Sequence, residues 1–425
     1  MSLYGAMFSG VSGLNAQSQA LGMISDNISN VNTVGYKTSK AAFSTLVTRQ
    51  ALENYYAPGG VRSTPVAMID KQGLLQSSSS ATDLAISGQG FFVVTGNNAP
   101  TSTDTRSYTR AGQFSADSDG YLRSPSGYYL NGWVTDSTGT PTTANTSVLT
   151  GLEPVRVNSV SGSATPTSTI EIGANLPASA AVADTETTNV QVFDSLGVSH
   201  DITFTWTKAA ANTWTLTAAA SGVGTVEEGT VGSATPFSVT VAFNPDGTPA
   251  SFDGAATPPN LALSALTSAA NDMTISLDLG TQNTADGMTQ FSSNYSTSFV
   301  NQDGVQFGNF YGVSVDDNGI VTALYDNGET LKIYKLPVAT FPNPDGLDAK
   351  TGTVFTQSAS SGDYYLRGAG EANAGKIAPS SLEASTTDLA NEFTNMIITQ
   401  RAYAASTKII TTADEMLNDL INVKR

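Results

Sequence analysis

Apolar residues in the first thirty positions fall at Tyr4, Met7, Val11, Leu14, Leu21 and Ile28. Met7, Leu14, Leu21 and Ile28 are spaced by sevens, with Tyr4 and Val11 as an interleaved series that Ser18 and Ser25 interrupt. That is the a/d stripe of a helix over residues 1–30. The other end of the chain repeats the pattern more strongly. Leu382, Leu389, Met396, Tyr403, Ile410 and Leu417 recur at intervals of seven without a miss. A second series runs through Phe393 and Gln400 to Ile421 and is partly apolar. The spacing predicts a helix over 380–421, capped by Ser380 or Ser381 with Glu383 in its first turn. At ~1.5 Å per residue it is about 60 Å long, more than a compact domain needs.

The rest of the first helix is Gly, Ala, Ser, Asn and Gln, with Asp26 its only charge. A solvated helix carries charge on its outer face, so this surface is expected to pack against other protein. Gly5, Gly10, Gly13 and Gly22 each cost about 1 kcal/mol of helix propensity relative to Ala, so assembly is expected to order the helix. One stripe per helix fits an intramolecular bundle. The uncharged back and the length of the last helix point to assembly with further copies, and the two stripes, with Phe393 and Ile421, are expected to be the self-assembly seams.

Between the ends the period changes to that of strands. Phe91-Phe92-Val93-Val94 follows a Gly88-Gln89-Gly90 turn, and turn signals recur at Asp119-Gly120, Ser126-Gly127, Asn131-Gly132 and Thr138-Gly139. Strands are predicted at 128–134, 189–194, 201–207, 213–219, 236–243 and 273–279, and residues 356–378 read as loop. The earlier style returns over 291–345, with Asn318-Gly319 and Asn327-Gly328 turns. The order is nested, and predicts an α+β, mainly β chain: a terminal helical coiled coil with two inserted β domains. The helical part is 1–30 plus 378–425. A linking segment spans 31–80, with Pro58-Gly59-Gly60 and Pro65 making it an adjustable arm. The first β domain is 81–149 plus 291–377, and the inserted outer one is 150–290.

Charge and composition narrow the chemistry. The chain has 425 residues and a net charge of -17, which disfavours nucleic acid and anionic membrane surfaces as partners. It has no cysteine and one histidine, His200, which excludes disulfides, thiolate sites and multi-histidine metal sites. His200, next to Asp201, reads as a surface or turn residue. The Gly88-Gln89-Gly90 turn lacks the third glycine and the following helix of a dinucleotide loop. Loops starting at Ser115 and Ser314 have Ser126 and Tyr325 where a calcium loop needs Glu. No catalytic residue, cofactor or metal site is expected. The N-terminus lacks the basic start and apolar core of a cleaved signal, and no apolar run reaches about 20 residues, so no membrane insertion is expected.

Several stretches resemble the bacterial flagellar axial family of rod, hook and hook-associated proteins. Residues 25–37, with Asn27, Asn30, Asn32, Gly35, Tyr36 and Lys37, are similar to its NNIANVNTxGFK signature. Residues 83–93 resemble DLAIxGxGFF, and Tyr108-Thr109-Arg110-Ala111-Gly112 opens a stretch resembling YTRAGxFxxDxxGYL. The C-terminal match runs from Leu382-Glu383 through Gln400-Arg401-Ala402-Tyr403 to Leu417. The acidic middle, 150–290, shows no such motif. The length of the chain fits a hook-type subunit better than a distal rod or hook-associated one. A secreted β-rich adhesin or glycosidase on a coiled-coil stem is the alternative outside the family.

The resemblance implies a non-enzymatic subunit of a curved helical homopolymer, a universal joint for motility in the extracellular hook. It implies itself as first partner, then rod proteins, the hook cap and hook–filament junction proteins. It also implies the flagellar type III export apparatus, without a cleaved signal peptide.

Overall fold

The computed structural model describes residues 3–46, 59–101, 104–158 and 162–423. Residues 1–2, 47–58 (with Pro58 of the expected arm) and 424–425 lie outside the described residues. The chain is mostly β with a helix at each end, α1 over Leu3–Ser29 and α2 over Leu389–Val423. It divides into two units. Unit 1 comprises 1–159, 313–323 and 331–425; unit 2 comprises 160–312 and 324–330.

In unit 1 the strand Phe91–Thr95 is buried throughout, as its unbroken apolar run requires of a central strand. It pairs with Ser107–Thr109 on one side and Tyr129–Val134 on the other. Phe91, Tyr108, Trp133, Phe341 and Phe355 form the core there, with Tyr108 and Phe341 edge to face at 4.8 Å. Gly88 and Gly90 adopt φ of +113° and +123°, and a Cβ on Gly90 would lie 2.1 Å from Val338, so the Gly-Gln-Gly segment is a tight turn that glycine alone permits.

Three sequence expectations change here. The helix expected from 380 begins at Leu389, because Ser380 has φ of +47° and Ser381–Glu383 is a strand paired with Leu75–Ser77. Asp388 is the cap: its carboxylate accepts the N–H groups of Ala390 and Asn391 at 3.0 and 3.2 Å. Residues 356–378, expected as loop, contain the strands Tyr365–Gly368 and Lys376–Pro379, and the second pairs with Leu84–Ser87. Strands of three or four residues are too short to show a period. The linking segment is ordered where described: Ser39–Leu46 and Gly60–Ala67 form an antiparallel hairpin in which Pro65 faces Ala41.

Unit 2 holds two five-stranded sheets. One runs in the order 225–228, 261–264, 273–278, 169–175, 296–302; the other in the order 185–193, 199–210, 213–220, 238–243, 249–252. Their inward side chains form one core around Phe204, Trp206, Trp214 and Phe252. The strand Ser199–Ala210 starts two residues before the expected 201, which puts His200 in phase with Ile202, Phe204 and Trp206. His200 is therefore buried, not on the surface. Its Nε2 lies 3.0 Å from the buried Asp194 carboxylate, which also accepts the Ser268 hydroxyl and the N–H groups of Leu196 and Val198.

Burial pushes the Asp194 carboxyl up, but the bonds from Ser268, His200, Val198 and Leu196 outweigh it and hold it below its ordinary value. A depressed carboxyl contributes stability above its unfolded pKa and loses it as pH falls through the folded one. Asp194→Ala should cost unit 2 about 2–4 kcal/mol at pH 7, with a smaller loss at pH 3. Urea unfolding followed by tryptophan fluorescence at the two pH values checks both.

Candidate assembly faces and the joint between the chain ends

The two helices of unit 1 lie antiparallel. Gly10 faces Ile410, Gly13 faces Ser406, and Asn27 faces Glu392, so position rises along one helix as it falls along the other. A Cβ on Gly10 would stand 3.1 Å from Ile410, and one on Gly13 would stand 3.1 Å from the Ser406 hydroxyl. These glycines cost helix propensity and permit the close approach. Gly22 has nothing within 4 Å.

The contact between the two helices runs beside the heptad residues expected to meet other copies. The buried positions of α1 are Gly10, Ala16, Ala20, Ile24 and Asn27. Met7, Leu14, Leu21 and Ile28 flank that face half-buried, while Tyr4 and Val11 are exposed. On α2, Glu392, Thr399 and Ala413 are buried, and Met396, Ile410 and Leu417 are half-buried. Leu389, Phe393, Tyr403 and Ile421 are exposed, as are Gln400 and Arg401. Leu382 belongs to the preceding strand and is half-buried. Small and polar residues, with Ile24 and Ile410, make the intramolecular contact, and most of the large apolar residues of α2 are left outside. Tyr4 is 75%, Phe8 63%, Ile398 60% and Met416 57% exposed.

Just beyond the helices the two ends of the chain meet the β body at a buried ion cluster. Glu383 Oε1 lies 2.6 Å from Lys37 Nζ, and its Oε2 lies 3.2 Å from Arg110. All three side chains are at most 2% exposed. The Gly73 N–H donates to Glu383 Oε1 at 2.7 Å, and the Gly35 N–H donates to its backbone carbonyl at 2.8 Å. The surplus positive charge is also held: Lys37 donates to the Lys71 carbonyl, Arg110 donates to the Gly88 carbonyl at 2.9 Å, and its guanidinium stands 5.2 Å over Phe91. Burial lowers the Lys37 and Arg110 pKa values, and Glu383 opposes the shift in each. Gly35 has φ of +70°, and a Cβ there would lie 2.6 Å from the Ala111 nitrogen.

A second network ties α1 to α2. Buried Asn27 donates to the Ser39 carbonyl at 2.9 Å and to Glu392 at 3.1 Å, and its amide oxygen accepts the Tyr36 hydroxyl at 3.1 Å. Thr386 Oγ1 accepts the Thr38 N–H at 3.0 Å. Asn30 closes the end of α1 by bonding the Asp26 carbonyl and the Thr33 hydroxyl. Asn32 is exposed. Burial raises the Tyr36 pKa, with Asp26 and Glu392 adding to it. Burial likewise raises the Glu392 pKa, against the pull of Asn27 and Lys40.

Lys37, Arg110 and Glu383 stand inside the motif stretches; the spacing puts Glu383 in the first turn of a helix and gives Lys37 and Arg110 no role, whereas the structure joins all three. Their signal is charge itself, rare in a chain only 13% charged. Among the described residues, no group of three or more His, Asp or Glu is placed to hold a metal, and no helix is long and apolar enough to cross a membrane.

Glu383→Ala strands two buried cations and should destabilise unit 1 by about 3–5 kcal/mol, with Glu383→Gln falling between it and wild type. Urea unfolding by far-UV circular dichroism reads this. The raised Glu392 carboxyl binds its proton more readily when folded, so its contribution improves as pH falls through that value and declines above it. The gain in helix melting temperature from Glu392→Gln should accordingly be larger at pH 7 than at pH 5.

Comparisons with known families agree with these features. Residues 7–37 match the family model "Flagella basal body rod protein", and 378–423 match "Flagellar basal body rod FlgEFG protein C-terminal". Residues 85–191 match "Flagellar hook protein FlgE/F/G D1 domain". The acidic middle, in which no motif is legible by eye, matches "Flagellar basal body protein FlaE D2 domain" over 163–305. The chain is 35% identical to the flagellar hook protein FlgE of Rhizobium meliloti, with all of both chains covered. It is 31% identical to that of Caulobacter vibrioides, again over the whole of both. Identity to the Escherichia coli protein is 30%, covering 97% of this chain and 98% of the other. The crystal structure of Helicobacter pylori flagellar hook protein FlgE2 aligns at 15% identity and a TM-score of 0.48, covering 73% of this chain and all of that one. The chain belongs to the flagellar hook protein family, as a structural subunit of the hook.

Proposed function

We propose that this subunit polymerises with itself through the outer faces of α1 and α2, forming the wall of a curved helical tube that transmits torque as a universal joint. The apolar face left outside the intramolecular seam carries this reading. Phe393, Ile397, Ile398, Tyr403, Ile409, Met416 and Ile421 are all at least 40% exposed along a single helix, distributed over the surface outside its contact with α1, where water disfavours them. On α1, Tyr4, Phe8 and Val11 are exposed as well. A contact of this kind that does not close on itself generates a helical tube.

The many Ser, Thr and Asn residues of the two β units suit contacts that exchange as the tube bends. On this reading the subunit works beside rod, cap and junction proteins, outside the cell, after export through the flagellar type III apparatus. No catalysis is assigned to the chain. Its single histidine is held by Asp194 inside the sandwich of unit 2, out of reach of a substrate.

Phe393→Asp and Tyr403→Asp place charge on the outer face and spare the seam. Each should leave the monomer's melting temperature within a few degrees of wild type while abolishing tubes in negative-stain electron microscopy. Tubes of normal appearance from either variant would refute the assembly face.

A further inference from the structure

Unit 1 carries a cationic pocket that the helix-driven assembly leaves unused. It measures about 590 Å³ and is lined by Arg106, Arg156, Tyr121, Tyr334 and Glu153 among others. One of its two arginines, Arg156, is mounted on an aromatic ring. Arg156 stands 5.6 Å over Tyr121, with which its backbone forms a β-bridge, and its Nε donates to the Asp119 carbonyl at 2.9 Å. Tyr121 meets Tyr129 edge to face at 5.9 Å, and Arg123 stands 5.5 Å over Tyr129. The Arg106 side chain lines this pocket and a neighbouring one of about 640 Å³, and one of its terminal nitrogens is buried with no hydrogen-bond partner among the described residues.

Burial lowers the Arg106 pKa, and Asp104 opposes the shift. Glu153 lines the pocket, yet among the described residues no carboxylate lies within 4.0 Å of the charged nitrogens of Arg106, Arg123 or Arg156. A guanidinium held over a ring, beside a second with a buried donor left over, is arranged to receive a planar carboxylate in paired hydrogen bonds.

The chain supplies such a ligand in quantity. Unit 2 contains fifteen Asp and Glu residues and a single basic one, Lys208. Lys208 is buried against Trp214, so it cannot offset that charge at the surface. In a polymer of identical copies, acidic units set against one another repel, and an acidic unit set against a cationic pocket is attracted.

We propose that the Arg106–Arg156 pocket receives a carboxylate from unit 2 of a second copy, giving the polymer a charge-matched contact outside its helical wall. This rests on the self-assembly reading above. The test uses the full chain with Arg156→Lys, which keeps the charge and adds an amine. Light and ¹⁵N-labelled copies are mixed, polymerised and treated with a carbodiimide, which joins an amine to a carboxylate in direct contact. Mass spectrometry should find hybrid-labelled peptides joining position 156 to an Asp or Glu within 160–312 or 324–330.

The double variant Arg106→Glu, Arg156→Glu should raise the critical concentration for tubes about tenfold at 50 mM salt, with a smaller rise at 500 mM salt. Tubes without hybrid cross-links at position 156, or cross-links only within one copy or only to unit 1, would overturn the pocket alone. So would a double variant that polymerises like wild type. A wild-type chain that forms no tubes would overturn the helix-based reading and this contact with it.

Discussion

Glu383 holds two cations, Lys37 and Arg110, in a place that water does not reach, and the placement of both chain ends depends on it. A buried carboxylate with one cation seldom stabilises a fold by much, because desolvation cancels most of the attraction. What such a cluster does is forbid alternatives: each charge is intolerable without the others. Lys37 follows α1, Glu383 precedes α2, and Arg110 belongs to the β body. Any arrangement that separates the three leaves an unpaired charge in the interior. The cluster therefore acts as a registration point, and the helices project from it in a fixed relation.

The helical hairpin that follows is built with little apolar area inside. Gly10 and Gly13 let α2 come close, and Thr399, Ser406 and Ala413 fill the seam with small groups. Each large apolar side chain buried is worth about 1.5–3 kcal/mol, and α2 keeps most of its own on the outside. A monomer that withholds this stabilisation from its own fold has it available for association. This division between a small-residue seam and a large-residue outer face is the physical basis of the assembly reading.

Much of this was legible in the sequence, and the failures have physical causes. Five strands of the two sheets in unit 2 alternate and are legible within about four residues, whereas 169–175, 225–228, 249–252, 261–264 and 296–302 are not, because those strands are short or break the alternation. His200 was misplaced because its strand begins two residues earlier than its apolar run. The start of α2 was misread because Leu382 continues a heptad that the backbone abandons at Ser380. The heptads name the residues expected to meet other copies, and Tyr4, Val11, Leu389, Phe393, Tyr403 and Ile421 are exposed in the subunit; the small-residue contact between the two helices carries no apolar period to read. The ion cluster could not be found by spacing, since its members are 73 and 273 positions apart in the chain. Asn27, Gly35 and Tyr36, noted first as signature residues, proved to have structural work around the same joint, whereas Gln400 and Arg401 lie on the exposed face.

The central claim is that the outer faces of α1 and α2 are open in the subunit and covered in the polymer, while the joint at Glu383 is closed in both. Amide hydrogen exchange of monomer and assembled tubes, followed peptide by peptide, reads this directly. Peptides from 3–29 and 389–423 should exchange quickly in the monomer and become strongly protected in tubes, with those around Gly35, Gly73 and Glu383 protected in both. Equal exchange of the helical peptides in monomer and tubes would contradict the account.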